Sequence, residues 1–114
     1  MTEGRGKFSG KERVRKREDI ARLMRQGARQ YSKQYSLIIV KNSLDVVRIA
    51  VSVKKKVGKA VERNYEKRLV RECFRREKDH FPKGFDLLVI VKQTTDDFDL
   101  SYRSLKSLFR RSLL

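Results

Sequence analysis

The stretch KKKVGKAVERNYEKRLVRECFRR, residues 54–76, contains ten basic residues and only three acidic ones. Its apolar residues recur at three- and four-residue intervals, so we predict a helix over residues 59–80. Like charges at that spacing repel each other by about 0.2–0.5 kcal/mol per pair, and Lys67, Arg71 and Arg75 stand at it. Either solvent screens this face of the helix, or a polyanion neutralises it.

On a helical wheel the basic side chains collect in one arc of roughly 140°. The residues of this arc, called the basic face below, are Arg63, Asn64, Lys67, Arg68, Arg71 and Arg75. Val61, Tyr65, Leu69 and Cys73 lie opposite and are predicted to face the core, with Glu66 between them. A helix stabilised by its own ion pairs mixes both signs on one face. The segregation of sign therefore favours an anionic partner.

Lysines surround the predicted start of this helix. They are Lys54, Lys55, Lys56 and Lys59. Gly58 stands among them and permits a tight turn or a close approach of the backbone. Lysines at a helix N-terminus oppose the helix dipole, whereas the free N–H groups there bind anions. Arginine binds phosphate bidentately and lysine acts as a point charge. This mixture suits a folded RNA surface, and Asn64 adds a polar side chain that can hydrogen-bond to it.

Charge along the whole chain supports the same interpretation. The 114 residues predict one domain, 1–114, with a formal net charge of +16. Residues 1–33 and 54–78 together carry +14 of this charge. Merely soluble surfaces intersperse both signs, so two basic blocks favour a binding surface. Nucleic acid is the first candidate and anionic membrane the second, and no apolar run approaches the roughly 18 residues of a membrane span.

The residues that enzymes use for covalent or metal chemistry are few. Cys73 is the only cysteine and His80 the only histidine, so neither a Ser-His-Asp set nor a zinc site is supported. Cys73 is predicted to lie in the core. Asp96, Asp97 and Asp99 cap a helix or, alternatively, recruit a metal ion. We expect no catalytic residue and no metal site in the protein. The single cysteine and the absence of a signal peptide predict a cytoplasmic protein.

Periodicity elsewhere predicts three strands and two further helices. The strands are 34–41, 46–53 and 85–92, and the helices are 15–26 and 100–113. NSLD at 42–45 indicates a turn, so we predict an antiparallel hairpin between the first two strands. The first strand alternatively starts near Arg29 and breaks around Lys33, which gives four strands. The apolar run FDLLVIVK predicts that the last strand is central.

The order α-β-β-α-β-α predicts an α/β (α+β) two-layer sandwich with a small mixed central sheet. Residues 46–92 form a strand–helix–strand unit. If its strands are parallel and share a sheet, a right-handed crossover is the default. Residues 1–10 include three glycines and predict a mobile tail, although GRGK at 4–7 alternatively contacts phosphates.

The pattern KxGxAVxRNxxKRxxRE, residues 56–72, resembles the protein subunit of bacterial ribonuclease P. RVRKREDIARLMRQG at 13–27 is similar to the first helix of that family, and SLKSLFRRSLL at 104–114 to its last. The resemblance implies a ribosomal S5 domain 2-like fold with an unusual left-handed βαβ crossover. It also implies a ribonucleoprotein whose large RNA hydrolyses precursor tRNA to free the mature 5′ end.

The resemblance further implies two RNA-binding surfaces. Ribonuclease P RNA binds the basic face and the lysines before it. A cleft between the sheet and the first helix holds the single-stranded 5′ leader of precursor tRNA. In this chain the residues implied for the cleft are Arg13, Arg17, Ile20, Met24, Tyr35 and Ser52. Mg²⁺ is expected as a cofactor, bound mainly by the RNA, and neither a membrane nor a protein partner is expected.

The chain departs from the family's pattern in two ways, at residue 65 and in the first helix. Its motif is commonly Arg-Asn-Arg, but residue 65 is Tyr, which packs or stacks instead of binding a phosphate. Ile20 and Met24 replace two phenylalanines of the first helix, so aromatic stacking worth roughly 1–3 kcal/mol per base is missing. Tyr35 becomes the aromatic candidate for the cleft, and a half-buried sheet position is its alternative.

Two other functions compete with the tRNA-processing subunit. The first is a general RNA-binding or ribosomal protein without processing activity, which would share the basic face. The second is a protein-only nuclease, for which the sequence offers no candidate residues. A cleft for a single strand separates the processing subunit from the general RNA-binding protein.

Overall fold

A computed structural model describes residues 10–94 and 97–113. Its helices are α1 (Arg17–Gln26), α2 (Ala60–Glu77) and α3 (Phe98–Leu113). Its strands are β1 (Ala28–Tyr31), β2 (Tyr35–Lys41), β3 (Arg48–Val53) and β4 (Phe85–Val91). The predicted first strand is therefore split in two, as in the alternative prediction of four strands. The predicted tail, 1–10, lies outside the described residues except for Gly10, which begins a short 3-10 turn.

The strands form one mixed sheet in the order β1-β2-β4-β3. β2 pairs antiparallel with both β1 and β4, while β3 pairs parallel with β4. The prediction of a β2–β3 hairpin is wrong, because β4 lies between these two strands. β4 is apolar on both faces and pairs along both edges, so it takes the centre, as its sequence predicted.

The segment between β2 and β3 crosses over the end of β4 instead of closing a hairpin. Asn42 shapes this segment: its Nδ2 donates to the Val46 carbonyl at 3.1 Å, and its Oδ1 accepts from the Leu44 N–H at 2.8 Å. Residues 42–47 are long enough to span two strand spacings, about 10 Å. The chain then returns from β3 through α2 to β4. This confirms the strand–helix–strand crossover, and its hand stays a prediction.

The larger core lies between the sheet and the pair α2–α3. Alternation along each strand directs one set of side chains to it, as the sequence predicted for 35–39 and 47–53. Three aromatic rings, Phe74, Phe81 and Phe109, meet at its centre with centroids 5.3–6.5 Å apart. α1 covers part of the opposite face through a smaller cluster that contains Leu23 and Ile38. The predicted two layers are thus joined by a partial third.

Gly27 ends α1 and lets it approach the sheet closely. Its N–H donates to the Leu23 carbonyl at 2.9 Å. A Cβ at this position would lie only 2.2 Å from Ile38 Cγ2. Because both Leu23 and Ile38 are fully buried, neither has room to move away. The predicted helix stop is therefore also a site of close packing between α1 and β2.

The buried side of α2 differs from the predicted one. Leu69 and Cys73 face the core as predicted, but Val61 is 80% exposed and Tyr65 is 48% exposed. The buried residues of the helix are Glu66, Leu69, Val70, Cys73, Phe74 and Glu77. This row keeps the three- and four-residue spacing of a helix packed on one side, and it begins only at residue 66. Val61 and Tyr65 precede this row, on the first turns of the helix, and remain exposed.

Candidate nucleic-acid interface

The basic face of α2 is displayed at the surface. Arg68 and Asn64 are exposed, and the other four members are partly exposed. Within residues 10–94 and 97–113, Arg63, Lys67, Arg68 and Arg71 form no ion pair with a carboxylate. The sequence therefore placed these side chains correctly on one side of the helix. A row of uncompensated cations at close spacing attracts a polyanion and is relieved by it.

Arg75 is the member of the basic face that the protein itself neutralises. Its Nη2 lies 2.5 Å from Glu72 Oε2, and Arg76 Nε lies 2.8 Å from the same oxygen. The Arg75 hydrogen bond is the main cause that lowers the pKa of Glu72 to about 2. Glu72 thus stays charged at any physiological pH, and Arg75 contributes less free positive charge than its neighbours.

Arg71 lies beside another cation. Burial lowers the pKa of Arg71, and the positive charge of Arg13 lowers it further. With Arg68 and Arg75 these two side chains line a groove of about 490 Å³, called the arginine groove below, whose remaining walls are Glu72, Tyr65, Leu69 and Phe98. Arg13, which the resemblance assigned to the leader cleft, therefore lies in this groove. An oxyanion held among these guanidinium groups would relieve their mutual repulsion.

The lysines before α2 project from an exposed turn, called the lysine turn below. Lys54, Lys55, Lys56 and Lys59 are all exposed. The helix start behind them is capped from inside the protein, because Glu62 accepts the Lys59 backbone N–H at 2.7 Å. A Cβ at Gly58 would lie 2.6 Å from that carboxylate, so glycine leaves room for the cap. The Lys59 backbone N–H is therefore already occupied, while the four lysine side chains project into solvent.

A second basic groove lies between this turn and the end of β4. It measures about 550 Å³, and Lys33, Lys56 and Lys92 line it together with polar side chains of residues 93 and 94. Lys92 Nζ donates to the Ser32 carbonyl at 2.8 Å, which fixes its position. The lysine turn and the end of the sheet thus share one basic surface.

The sheet face that carries α1 bears a row of side chains across all four strands. Strand register places Tyr31, Ser36, Ile90 and Ser52 side by side. At the usual strand spacing this row, called the sheet row below, spans about 14 Å. Tyr31 is 58% exposed, and Lys92 Nζ lies 5.5 Å from its ring centroid. Ser52, a predicted cleft residue, is exposed in this row.

The assignment of Tyr35 to the leader cleft is wrong. Tyr35 is fully buried on the opposite face of the sheet, against α2 and α3, and burial raises the pKa of its phenol to about 12. Strand alternation puts it with Leu37 and not with Ser36. Tyr31 is the exposed aromatic side chain of the α1 face. The alternative prediction, in which the first strand starts near Arg29 and breaks around Lys33, could have indicated it, because Tyr31 then lies in a separate strand.

The other predicted cleft residues lie on or before α1. Ile20 is partly buried and packs in the smaller cluster, while Met24 is 44% exposed. Arg17 is exposed at the first residue of the helix. One side of α1 therefore offers apolar surface next to the sheet, and its N-terminal end offers a cation.

The described residues offer little for protein-based metal or covalent chemistry. Within 10–94 and 97–113, no three His, Cys, Asp or Glu side chains come together as a potential metal site. Cys73 is buried, which raises the pKa of its thiol to about 12. Asp97 accepts the Leu100 N–H at 3.1 Å as a helix cap, and Asp96 lies outside the described residues. In the same part of the chain, no helix has the length and apolarity of a membrane span.

A mixed four-stranded sheet with an uncompensated Arg/Lys surface on its crossover helix defines a basic α+β protein of the RNA-binding class. The family model for ribonuclease P matches residues 8–113, and the chain belongs to this family of ribonuclease P proteins. The protein component is a subunit of the holoenzyme that processes the 5′ end of tRNA.

Relatives and solved structures agree on this assignment. A ribonuclease P protein component from Thermotoga maritima is 41% identical over 100 residues, which cover 87% of this chain and 83% of the relative. The solved structure of the Thermotoga maritima protein superimposes with a TM-score of 0.80 at 37% identity, covering 88% of this chain and 96% of that one. A Staphylococcus aureus RNase P protein mutant gives 0.82 at 30% identity, covering 90% and 88%. These matches confirm the α+β fold.

Proposed function

We propose that the basic face of α2 and the lysine turn bind ribonuclease P RNA. The observation that carries this proposal is the set of four cations, Arg63, Lys67, Arg68 and Arg71, without a carboxylate partner among the described residues. Such cations contact RNA phosphates and release the counterions condensed on them. Arg63 and Lys67 extend this surface along α2 toward the lysine turn.

We assign the 5′ leader of precursor tRNA to the sheet row and the adjoining side of α1. Unstacked bases pack on exposed aromatic rings, and Tyr31 supplies one. Met24 and Ile90 add apolar surface, while Lys92 and Ser52 offer a charge and a hydroxyl for the backbone. A row about 14 Å long accommodates a few extended nucleotides. The leader therefore lies across the strands, on the opposite side of the sheet from α3.

In this proposal the protein holds RNA and does not break the bond. The hydrolysis is assigned to the RNA subunit with Mg²⁺, which is held mainly by RNA phosphates. The protein contributes by neutralising phosphate charge, so that the RNA needs less metal to fold and to bind its substrate. The cytoplasmic location stays a prediction.

Reconstitution tests this proposal. The purified protein alone is expected to cleave nothing. Added to a cognate ribonuclease P RNA at low Mg²⁺, it should restore 5′ cleavage of precursor tRNA. The double variant Arg63→Glu, Lys67→Glu should fail to restore cleavage, whereas Arg111→Glu at the exposed end of α3 should succeed. Equal rescue by both variants would remove the basic face from the proposal.

A general RNA-binding protein without processing activity would share the basic face, so the leader separates the two functions. The protein should strengthen binding of precursor tRNA to the ribonuclease P RNA more than that of mature tRNA. Tyr31→Ala should reduce this difference, because a stacked base contributes roughly 1–3 kcal/mol. Equal effects of the protein on both RNAs would favour the general RNA-binding function.

A further inference from the structure

Two aromatic side chains are exposed in the arginine groove. Tyr65 on α2 is 48% exposed and Phe98 at the start of α3 is 41% exposed. Both line the groove together with Arg68 and Arg75. Phe98 is held from behind by Tyr102, with centroids 6.0 Å apart, and Arg76 lies 5.5 Å from the Tyr102 centroid. Phe98 thus has an aromatic neighbour that is itself in contact with a guanidinium group.

Aromatic rings among arginines match the chemistry of an unpaired nucleobase. A base presents a flat π face to tyrosine or phenylalanine, and its phosphates bind the flanking guanidinium groups. We propose that Tyr65 and Phe98 form a platform on which an unpaired base of ribonuclease P RNA stacks. This deepens the proposed function and rests on it, since the platform adjoins the basic face. Tyr65 then replaces a phosphate contact with a stacking contact.

Charge argues against a second copy of this chain as the occupant. A partner docked here would bring a net charge of +16 toward four arginines, which repel it. Among the described residues that line the groove, Glu72 is the one carboxylate, and Arg75 and Arg76 already neutralise it. RNA offers a flat base that can stack on the aromatic rings and negative phosphates that can neutralise the arginines.

Fluorescence tests the stacking directly, because the chain contains no tryptophan. Tyr65→Trp places a single reporter on the platform, and Leu44→Trp places one in the β2–β3 connection at nearly the same exposure, 47%. Ribonuclease P RNA without tRNA should quench Tyr65→Trp and leave Leu44→Trp almost unchanged. Heparin, a polyanion without bases, should bind both variants and quench neither. Equal quenching of Tyr65→Trp by heparin, or quenching that requires precursor tRNA, would overturn the proposal.

Affinity and its salt dependence provide the second test. Tyr65→Leu should weaken binding to ribonuclease P RNA by about 5- to 150-fold, the loss expected for one stacked base. Tyr65→Phe should stay within about twofold of the wild type for the same reason. The slope of log affinity against log salt should not change in either variant, because no charge is removed. A shallower slope would instead indicate that Tyr65 acts by positioning neighbouring cations.

The outcomes separate this proposal from the proposed function. If the wild type binds and rescues the RNA while Tyr65→Leu binds equally well, the platform is wrong and the proposed function stands. If the wild type does not bind ribonuclease P RNA, the proposed function is wrong and the platform falls with it. If sedimentation shows a wild-type dimer that Tyr65→Leu dissociates, the patch joins two copies of the chain and the base-stacking role is overturned.

Discussion

Asp86 is a fully buried carboxylate that ties four parts of the fold together. Arg48 binds it bidentately, with Nε 2.7 Å from Oδ1 and Nη2 2.6 Å from Oδ2. Asn42 Nδ2 donates to Oδ1 at 2.8 Å. Arg22 of α1 also reaches Asp86, with its Nη2 3.4 Å from Oδ2. The carboxylate thus joins β4 to β3, to the segment that follows β2 and to α1. The hydrogen bond with Asp86 is the main cause that raises the pKa of Arg48.

Asp86→Asn should destabilise the protein by about 3 kcal/mol. The amide keeps the shape but removes the negative charge, which leaves the Arg48 guanidinium, 17% exposed, with only the longer 3.4 Å contact to Asp19 as an ion pair among the described residues. Urea unfolding followed by far-UV circular dichroism measures the loss. Asp45→Asn, in the exposed β2–β3 connection, is the matched control and should change the free energy of unfolding by less than about 0.5 kcal/mol. A similar, small effect at both positions would contradict the buried-pair assignment.

Glu72 predicts a pH-dependent contribution to stability. Its pKa in the folded protein is lowered from 4.5 to about 2. The stabilisation is therefore fully present above pH 4.5 and is lost as the pH falls toward 2. Because the Glu72 side chain is 35% exposed, solvent screening limits the effect to less than about 1 kcal/mol. The difference in unfolding free energy between the wild type and Glu72→Gln should shrink through this window, and a constant difference would be inconsistent with it.

α2 contributes both to the core and to the proposed RNA surface, and its two sides are set by the position of the sheet. Glu66 shows that packing against the sheet can bury a residue type that is usually exposed, since Glu66 lies on the inner side and is only 2% exposed. Its Oε2 accepts a hydrogen bond from the Thr94 hydroxyl. The helical wheel already placed Glu66 among the core-facing positions, although burial of a charge is costly.

Arg68→Ala should weaken RNA binding and leave the fold intact. Arg68 is exposed and has no carboxylate partner among the described residues, so its loss removes about one phosphate contact. The slope of log affinity against log salt should become shallower by about 0.7. Arg111→Ala, which removes the same charge from the exposed end of α3, should keep the wild-type slope. Loss of helix content in Arg68→Ala, seen by circular dichroism, would instead identify Arg68 as structural.

Across the whole molecule, a net charge of +16 opposes compaction and promotes RNA binding. Salt should therefore act in opposite directions on the two processes. Screening should raise the urea midpoint of unfolding, while log affinity for RNA should fall with log salt at a slope near −4 to −6 if six to eight phosphates are contacted. The variant Lys83→Glu, Arg111→Glu lowers the net charge and should show a smaller salt effect on stability. An unfolding midpoint independent of salt in the wild type would contradict the repulsion argument.

The sequence by itself determined the elements and the basic face. Period-two alternation assigned Leu37 and Ile38 to opposite sides of the sheet, and helical periodicity gathered Arg63, Lys67, Arg68 and Arg71 on one side of α2. These features depend on local geometry, which residue spacing encodes directly. The long motif that contains Arg63 and Asn64 identified the family for the same reason, since it lies within one turn and one helix.

Only the tertiary structure decided which strands are neighbours and which aromatic side chains are exposed. A short turn predicted a hairpin, yet β4 lies between β2 and β3. Both faces of β4 are largely apolar, and the centre of the sheet is where both can be buried. Tyr35 became core and Tyr31 became surface, since burial depends on which face the helices cover. Tyr65 is half exposed for the same reason, because its side of α2 is not fully covered by the rest of the fold. Strand order and helix cover are set by contacts between distant residues, and local spacing does not carry that information.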